Sequence, residues 1–473
     1  MKKKIGAVLA AGVMALAMPF SVALSGCNSA KITEFEMPDG GYDGSKVTIT
    51  FANTTGQDKA KIIDDAIKDF NVLYPNINVV VDNTVKSYDT LCDNIATKIN
   101  GGKQPHIAFC YSDHVALYNQ SKAVLAIDDF LPTGAFKNMK VTNTAGTESL
   151  GLTKEQYADY VDAFIAEGKV YGDGKTYTLP FAKSTEVLYY NENFFTTNNL
   201  KVPETWDEVE KVCADILTII GDDKTKYPLG YDSDANLFIT MCEQHDSPYT
   251  SASGDKHFLF DNKENQDFVK KLVEWRNKGY LITQATNNDT FTSYLFTEEK
   301  CFMSVGSTGG SSYQDPGSTD GTAKFNVGVA RIPQVDKDNP KAILQGPSVC
   351  IFKKSNPQEV LASWLLVKYL TTNANFQGRY SEISGYMPVT KSAYNSPLYQ
   401  EFLEENNLTA RTAKICKKMV DDEAFYTSDA FVGSSKARER VEILMKSAFS
   451  GDDLAETFAK AIRACEEFVQ NQG

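Results

Sequence analysis

Residues 47–81 read VTITFANTTGQDKAKIIDDAIKDFNVLYPNINVVV, and the spacing of the apolar residues changes twice along the stretch. Val47, Ile49 and Phe51 alternate with Thr48 and Thr50, the period of a strand with one buried face. Ile63, Ile67, Phe70 and Tyr74 then fall on one side of a helix, which Pro75-Asn76 stops. Residues 77–81 are β-branched and apolar apart from Asn78, a second strand. Downstream, Tyr88, Leu91, Ile95 and Ile99 mark another helix closed by Gly101-Gly102, and residues 106–110 make a third strand. Strand and helix alternating over short connections predict an open, mainly parallel sheet covered by helices.

The middle and end of the chain follow the same logic. Residues 178–181 and 187–190 are strand candidates, and Thr205 with Glu208 forms a capping box for a helix running to about Ile220. Phe268, Leu272 and Trp275 define a helix with Gly279 just past its end. Residues 301–305 form a short apolar strand that runs into Gly306-Ser307-Thr308-Gly309-Gly310. Leu361, Trp364, Leu365 and Lys368 lie on a helix after Pro357, and Leu454, Phe458, Ile462 and Cys465 on a last one. No repeat period interrupts the pattern, so two α/β lobes account for the 473 residues.

Charge and the amino terminus narrow the function. The chain carries 48 Lys and Arg against 61 Asp and Glu, a formal charge of −13 with no basic run after residue 4, which disfavours nucleic-acid partners. Lys2-Lys3-Lys4, an apolar run from Ile5 to about Phe20 and then Leu24-Ser25-Gly26-Cys27 make a secretory leader. Its last four residues resemble the bacterial lipobox, which implies a signal peptide over 1–26 and lipidation at Cys27. Residues 27–45 contain Pro38, Gly40, Gly41 and Gly44 and read as a flexible, lipid-anchored tether of about 20–25 Å. Eight further cysteines are scattered without CxxC or metal spacing, several on apolar stripes, and are expected as buried free thiols.

Catalytic and metal signatures are thin. His106, His114, His245 and His257 have no metal spacing, and no Gly-x-Ser-x-Gly elbow occurs. The Gly/Ser-rich stretch from Ser304 lacks the Lys-Ser/Thr ending of a P-loop; ligand hydrogen bonding by Ser307, Thr308 and nearby amides is the favoured role. Asp232, Asp234 and Glu243 partly mimic a calcium loop, yet Leu237 replaces its required glycine, so a helix starting near Asp234 is expected and no metal or cofactor. A paired-carboxylate glycoside hydrolase stays open on composition, as does a receptor-coupled sensor.

Six segments in order resemble the extracellular solute-binding proteins of family 1, which serve ABC importers of carbohydrates. They are the Pro75-Asn76-Ile77-Asn78-Val79 passage, residues 168–191 with Leu188-Tyr189-Tyr190-Asn191, Pro203-Glu204-Thr205-Trp206, Cys301-Phe302-Met303-Ser304, residues 327–333, and Gly385-Tyr386-Met387-Pro388. The resemblance implies a two-lobed periplasmic-binding-protein fold of type II, monomeric, with a solute held between lobes and handed to permease subunits. It places one lobe at 46–181 plus 332–378 and the other at 184–330 plus 380–473, with crossings near 180–184, 330–333 and 377–381.

The spacing is most similar to the glycerol-3-phosphate and maltooligosaccharide binders, which implies ligand roles for Tyr88, Ser184, Gly346 and Tyr386. The ligand Glu of the glycerol-phosphate type falls on Ser112, beside Asp113, and its phosphate-holding Arg falls near Val432. Without that guanidinium a neutral sugar, oligosaccharide or polyol is favoured over a phosphate ester. Tyr88, Tyr111, Asp113, Tyr231, Asp232 and Tyr386 supply the aromatic faces and planar polar groups a sugar needs, and Tyr111 to Asp113 should lie at the carboxyl end of a strand.

Overall fold

A computed structural model describes residues 32–471 apart from 222, 320, 321 and 423. Cys27 and the leader lie outside the described residues. Val47–Ala52 pairs in parallel with Ile77–Asp82 on one side and with Ile107–Cys110 on the other, as the two periodicity changes required. Ser348–Ile351 and then Thr178–Pro180 extend this first sheet in antiparallel fashion. The second sheet has the order Val327–Arg331, Glu186–Asn191, Cys301–Ser307, Tyr227–Tyr231, Leu281–Thr283. Its last three strands are parallel, and its first two pairings antiparallel. Each sheet therefore keeps a parallel βαβ run and adds antiparallel strands beside the crossovers, where the chain leaves for or arrives from the other lobe without an intervening helix to turn it.

Local signals decide the helices between these strands. Thr205 accepts from the Glu208 N–H, and the Glu208 carboxylate accepts from the Thr205 N–H, at the start of Trp206–Ile220. Gly279, at φ +79°, takes the left-handed turn that ends Lys263–Lys278. Asp234–Gln244 is a helix whose cap is the Ser233 hydroxyl. All eight cysteines after the leader are buried and unpaired.

Two apolar cores define the lobes. Ala182 packs in the first core and Val187 in the second, so the first crossing lies between them. Ala342 belongs to the second core and Leu344 to the first, which moves the second crossing about ten residues beyond its expected place. The third differs more. Phe376, Tyr380, Met387, Tyr399 and Phe402 all join the first core, because Phe376 and Tyr380 close on the buried ring of Phe181 at 5.7 and 5.5 Å. Helix Leu408–Asp421 makes the passage instead, with Ala410 and Cys416 in the first core and Leu408 and Met419 in the second.

The segment expected as a tether is also different from residue 32 onward. Ile32, Phe35 and Met37 pack against the first core, and Tyr42 is buried in it. The Gln358 side chain donates to the Gly41 carbonyl and accepts from the Asp43 N–H, both at 3.1 Å. Glycines and a proline allowed the chain to follow the lobe surface closely; composition alone could not show that aromatic residues between them would find a place on it.

Candidate ligand-binding cleft

A cavity of about 460 Å³ lies between the lobes, within the usual size range of small-molecule sites. On the first lobe its wall is built from two helix starts, each the next element after a strand of the sheet. Ser87 caps Tyr88–Asn100, and Tyr111, at the end of Ile107–Cys110, opens Ser112–Asn119. Tyr88 and Tyr111 stand with ring centroids 4.9 Å apart, and burial pushes both phenols above their ordinary range. The second lobe contributes Tyr249, residues 427–430, and Ser434 and Arg438 from helix Ser434–Ser450. The lobes touch at the cavity's edge, where the Ala430 N–H donates to the Val170 carbonyl at 2.9 Å.

Three polar atoms in this wall are buried with no partner among the described residues: Ser112 Oγ, Tyr249 OH and Gln345 Oε1. A buried hydroxyl or amide left unpaired costs about 1–3 kcal/mol. Three converging on one cavity mark a place where a polar solute completes the bonding. Asp113 lines the same wall and accepts from the His114 N–H at 2.9 Å.

Arg438 is the residue that changes the electrostatics inferred from sequence. Val432 indeed offers no cation, but the next helix carries a guanidinium into the cleft one and a half turns later. Asn236 Oδ1 accepts from Arg438, the Asn236 amide donates to Glu186 Oε1 at 2.7 Å, and Tyr231 donates to Glu186 Oε2 at 2.5 Å. Burial raises the Glu186 carboxyl to about 7 despite the bonds from Tyr231 and Asn236. An amide, not a carboxylate, thus orients Arg438 and leaves its charge available to the cavity.

The expected site residues divide into two groups. Tyr88, Ser112 and Asp113 line the cavity. Tyr386 stands at its edge beside Tyr88, stacked on Tyr380 at 6.5 Å with the Lys59 ammonium 5.2 Å from its ring centre. Gly309 passes so close to it that a Cβ there would lie 3.0 Å from the Tyr386 ring. Ser307, expected to bind ligand, precedes that turn, partly exposed, and does not line this cavity.

The others are engaged within the protein. Ser184 and Gln345 exchange backbone hydrogen bonds at 2.8 Å, joining the first two crossovers. Gly346, at φ +88°, lets those crossovers touch, since a Cβ there would come 2.4 Å from the Ala182 carbonyl oxygen. Thr308 is fully buried and bonds Thr185 through its N–H and its hydroxyl. The Asp232 carboxylate accepts from Thr292 Oγ1, the Ser293 N–H and Gln314 Nε2 at 2.8–3.2 Å, inside the second lobe. Sequence reasoning did not find Glu167, Tyr249, Asp429 or Arg438; the last three come from loops and a helix start with no local signature, and only the cation following Val432 could have been suspected.

Two lobes, three connections and a polar cavity between them define a two-lobed binding protein. Residues 65–407 match the family described as bacterial extracellular solute-binding protein, and the chain belongs to that family. The sn-glycerol-3-phosphate-binding periplasmic proteins UgpB of Shigella dysenteriae and Escherichia coli K12 are each 24% identical over 370 residues, 76% of this chain and 78% of theirs. The fold is shared with UgpB from Mycobacterium tuberculosis in complex with glycerophosphocholine, at TM-score 0.71 and 19% identity over 90% of this chain and 100% of that one. It is shared equally with the sugar-binding protein MalE from Xanthomonas citri, at TM-score 0.71 and 16% identity over 90% and 98%.

Proposed function

We propose that the chain is the substrate-binding lipoprotein of an ABC importer, capturing a sugar, oligosaccharide or polyol between its lobes and delivering it to membrane permease subunits. The observation that carries this reading is the set of unpaired buried atoms on Ser112, Tyr249 and Gln345 beside the Tyr88–Tyr111 pair. Sugar hydroxyls donate and accept together, which suits such a mixture, and the ring's C–H face packs on an aromatic ring. The family and the named relatives, which bind glycerol 3-phosphate or sugars, support it. The protein acts as a monomer that binds and releases its solute unchanged, exported and held by lipid at Cys27 on the outer face of the cytoplasmic membrane. A Cys27→Ser chain should then move from the membrane fraction to the medium.

Arg438 supports a second reading, a glycerophosphate-type solute. It points into the cleft from a helix whose first turn has no acidic residue and whose start has no side-chain cap. Such a helix start and a guanidinium both favour an anion.

A thermal-shift screen of mono-, di- and oligosaccharides, polyols and glycerol phosphates separates the two. The first reading predicts a rise in melting temperature with a neutral carbohydrate, recovered chemically intact. A rise confined to phosphate esters, lost in Arg438→Met, favours the second. Turnover of an oligosaccharide would contradict both.

A further inference from the structure

Lys183 has no solvent exposure, a costly position for an ammonium unless its hydrogens are all matched. They are: Nζ donates to the Glu167 carboxylate, to the Gly346 carbonyl at 3.1 Å and to Ser348 Oγ at 2.8 Å. Ser348 Oγ in turn donates to Glu167 Oε2 at 2.9 Å. These partners join distinct parts of the hinge. Lys183 lies in the first crossover, Gly346 in the second, and Ser348 begins the strand that re-enters the first sheet. The backbone of Lys183 also pairs with Met387. The ion pair thus ties both crossovers to the first lobe.

Only one oxygen of the Glu167 carboxylate is used. Oε2 receives both Lys183 and Ser348, whereas no hydrogen bond to Oε1 is present among the described residues, and Glu167 lines the interlobe cavity. Ser112 Oγ stands in the same cavity wall, buried and without a hydrogen-bond partner among the described residues. A free carboxylate oxygen and a hydroxyl in one cavity wall fit a solute hydroxyl, which donates to the first and accepts from the second.

Resting on the reading of the cleft as a polyol site, we propose that Glu167 is its hinge-side acceptor for a solute hydroxyl, and that Lys183 is the positioning residue that fixes the carboxylate. A solute seated there contacts the same ion pair that joins the crossovers. Hydroxyl recognition and the relative setting of the lobes then depend on one side chain.

The test uses Glu167→Gln, Lys183→Met and the double variant, beside wild type and Tyr88→Ala. All are titrated calorimetrically with maltose, maltotriose, glycerol and glycerol 3-phosphate, and melted without solute. Glu167→Gln should weaken each probe that wild type binds by about tenfold to a hundredfold, the loss of one charge-assisted hydrogen bond. Lys183→Met strands a buried carboxylate and should lower the melting temperature. Removing both charges should restore the melting temperature but not the affinity. A pair that serves only structure predicts that the double variant recovers both, and that result overturns the proposal. Wild-type affinity in Glu167→Gln also overturns it: with Tyr88→Ala still impaired the cleft reading stands, and with Tyr88→Ala normal as well the cleft reading falls too.

Discussion

Glu186 shows how one side chain can link the cleft to pH. Its carboxyl, ordinarily near 4.5, is raised to about 7 because the second lobe buries it. A raised acid favours the protonated folded state, so its contribution to stability is intact below about pH 4.5 and declines as pH rises through about 7. At roughly 1.4 kcal/mol per pKa unit, the loss by pH 8 is about 3 kcal/mol. Glu186→Gln can still accept from Asn236 and meet the Tyr231 hydroxyl, without a proton to lose. Urea unfolding at pH 5 and pH 8 should therefore show a smaller decline for Glu186→Gln than for wild type. Equal declines would mean that the carboxyl does not titrate in this window.

Among the elements, the helices and strands were the most legible part, and physical reasons separate them from what was not. The Thr205–Glu208 box, the glycine stop at Gly279 and the alternation of Val47, Ile49 and Phe51 are local effects, and each formed where the sequence placed it. The segment after the leader was misread because its fate rests on tertiary contacts. Phe35 meets Phe130 and Phe136 at 6.0 and 6.3 Å, and Tyr42, 8% exposed, donates to the Ser45 carbonyl. Tyr42→Ala should accordingly cost about 2–4 kcal/mol in chemical denaturation, as for a large side chain lost from a core. A free tether predicts no change.

At the scale of the whole molecule, order along the chain carried the two-lobed architecture, but neither the later crossings nor half of the cleft. Phe376, Tyr380 and Phe402 look the same in sequence whichever lobe receives them; contact with Phe181 settles the matter for the first two. On the first lobe Tyr111 to Asp113 were readable as a strand end, whereas Tyr88 and Ser112 were reached through the family resemblance; all of them line the cavity. The opposite face brings Tyr249, Asp429 and Arg438 together from segments up to 189 residues apart, and only folding reveals that they meet. Closure would gain its free energy from contacts a solute makes to both faces at once. The most direct measurement is a crystal structure of the protein with the strongest binder from the solute screen. The solute should lie between the lobes, packed on Tyr88 and Tyr111 and hydrogen-bonded to Ser112 Oγ and Tyr249 OH. A solute bound elsewhere, with those two hydroxyls still unpartnered, would contradict the account.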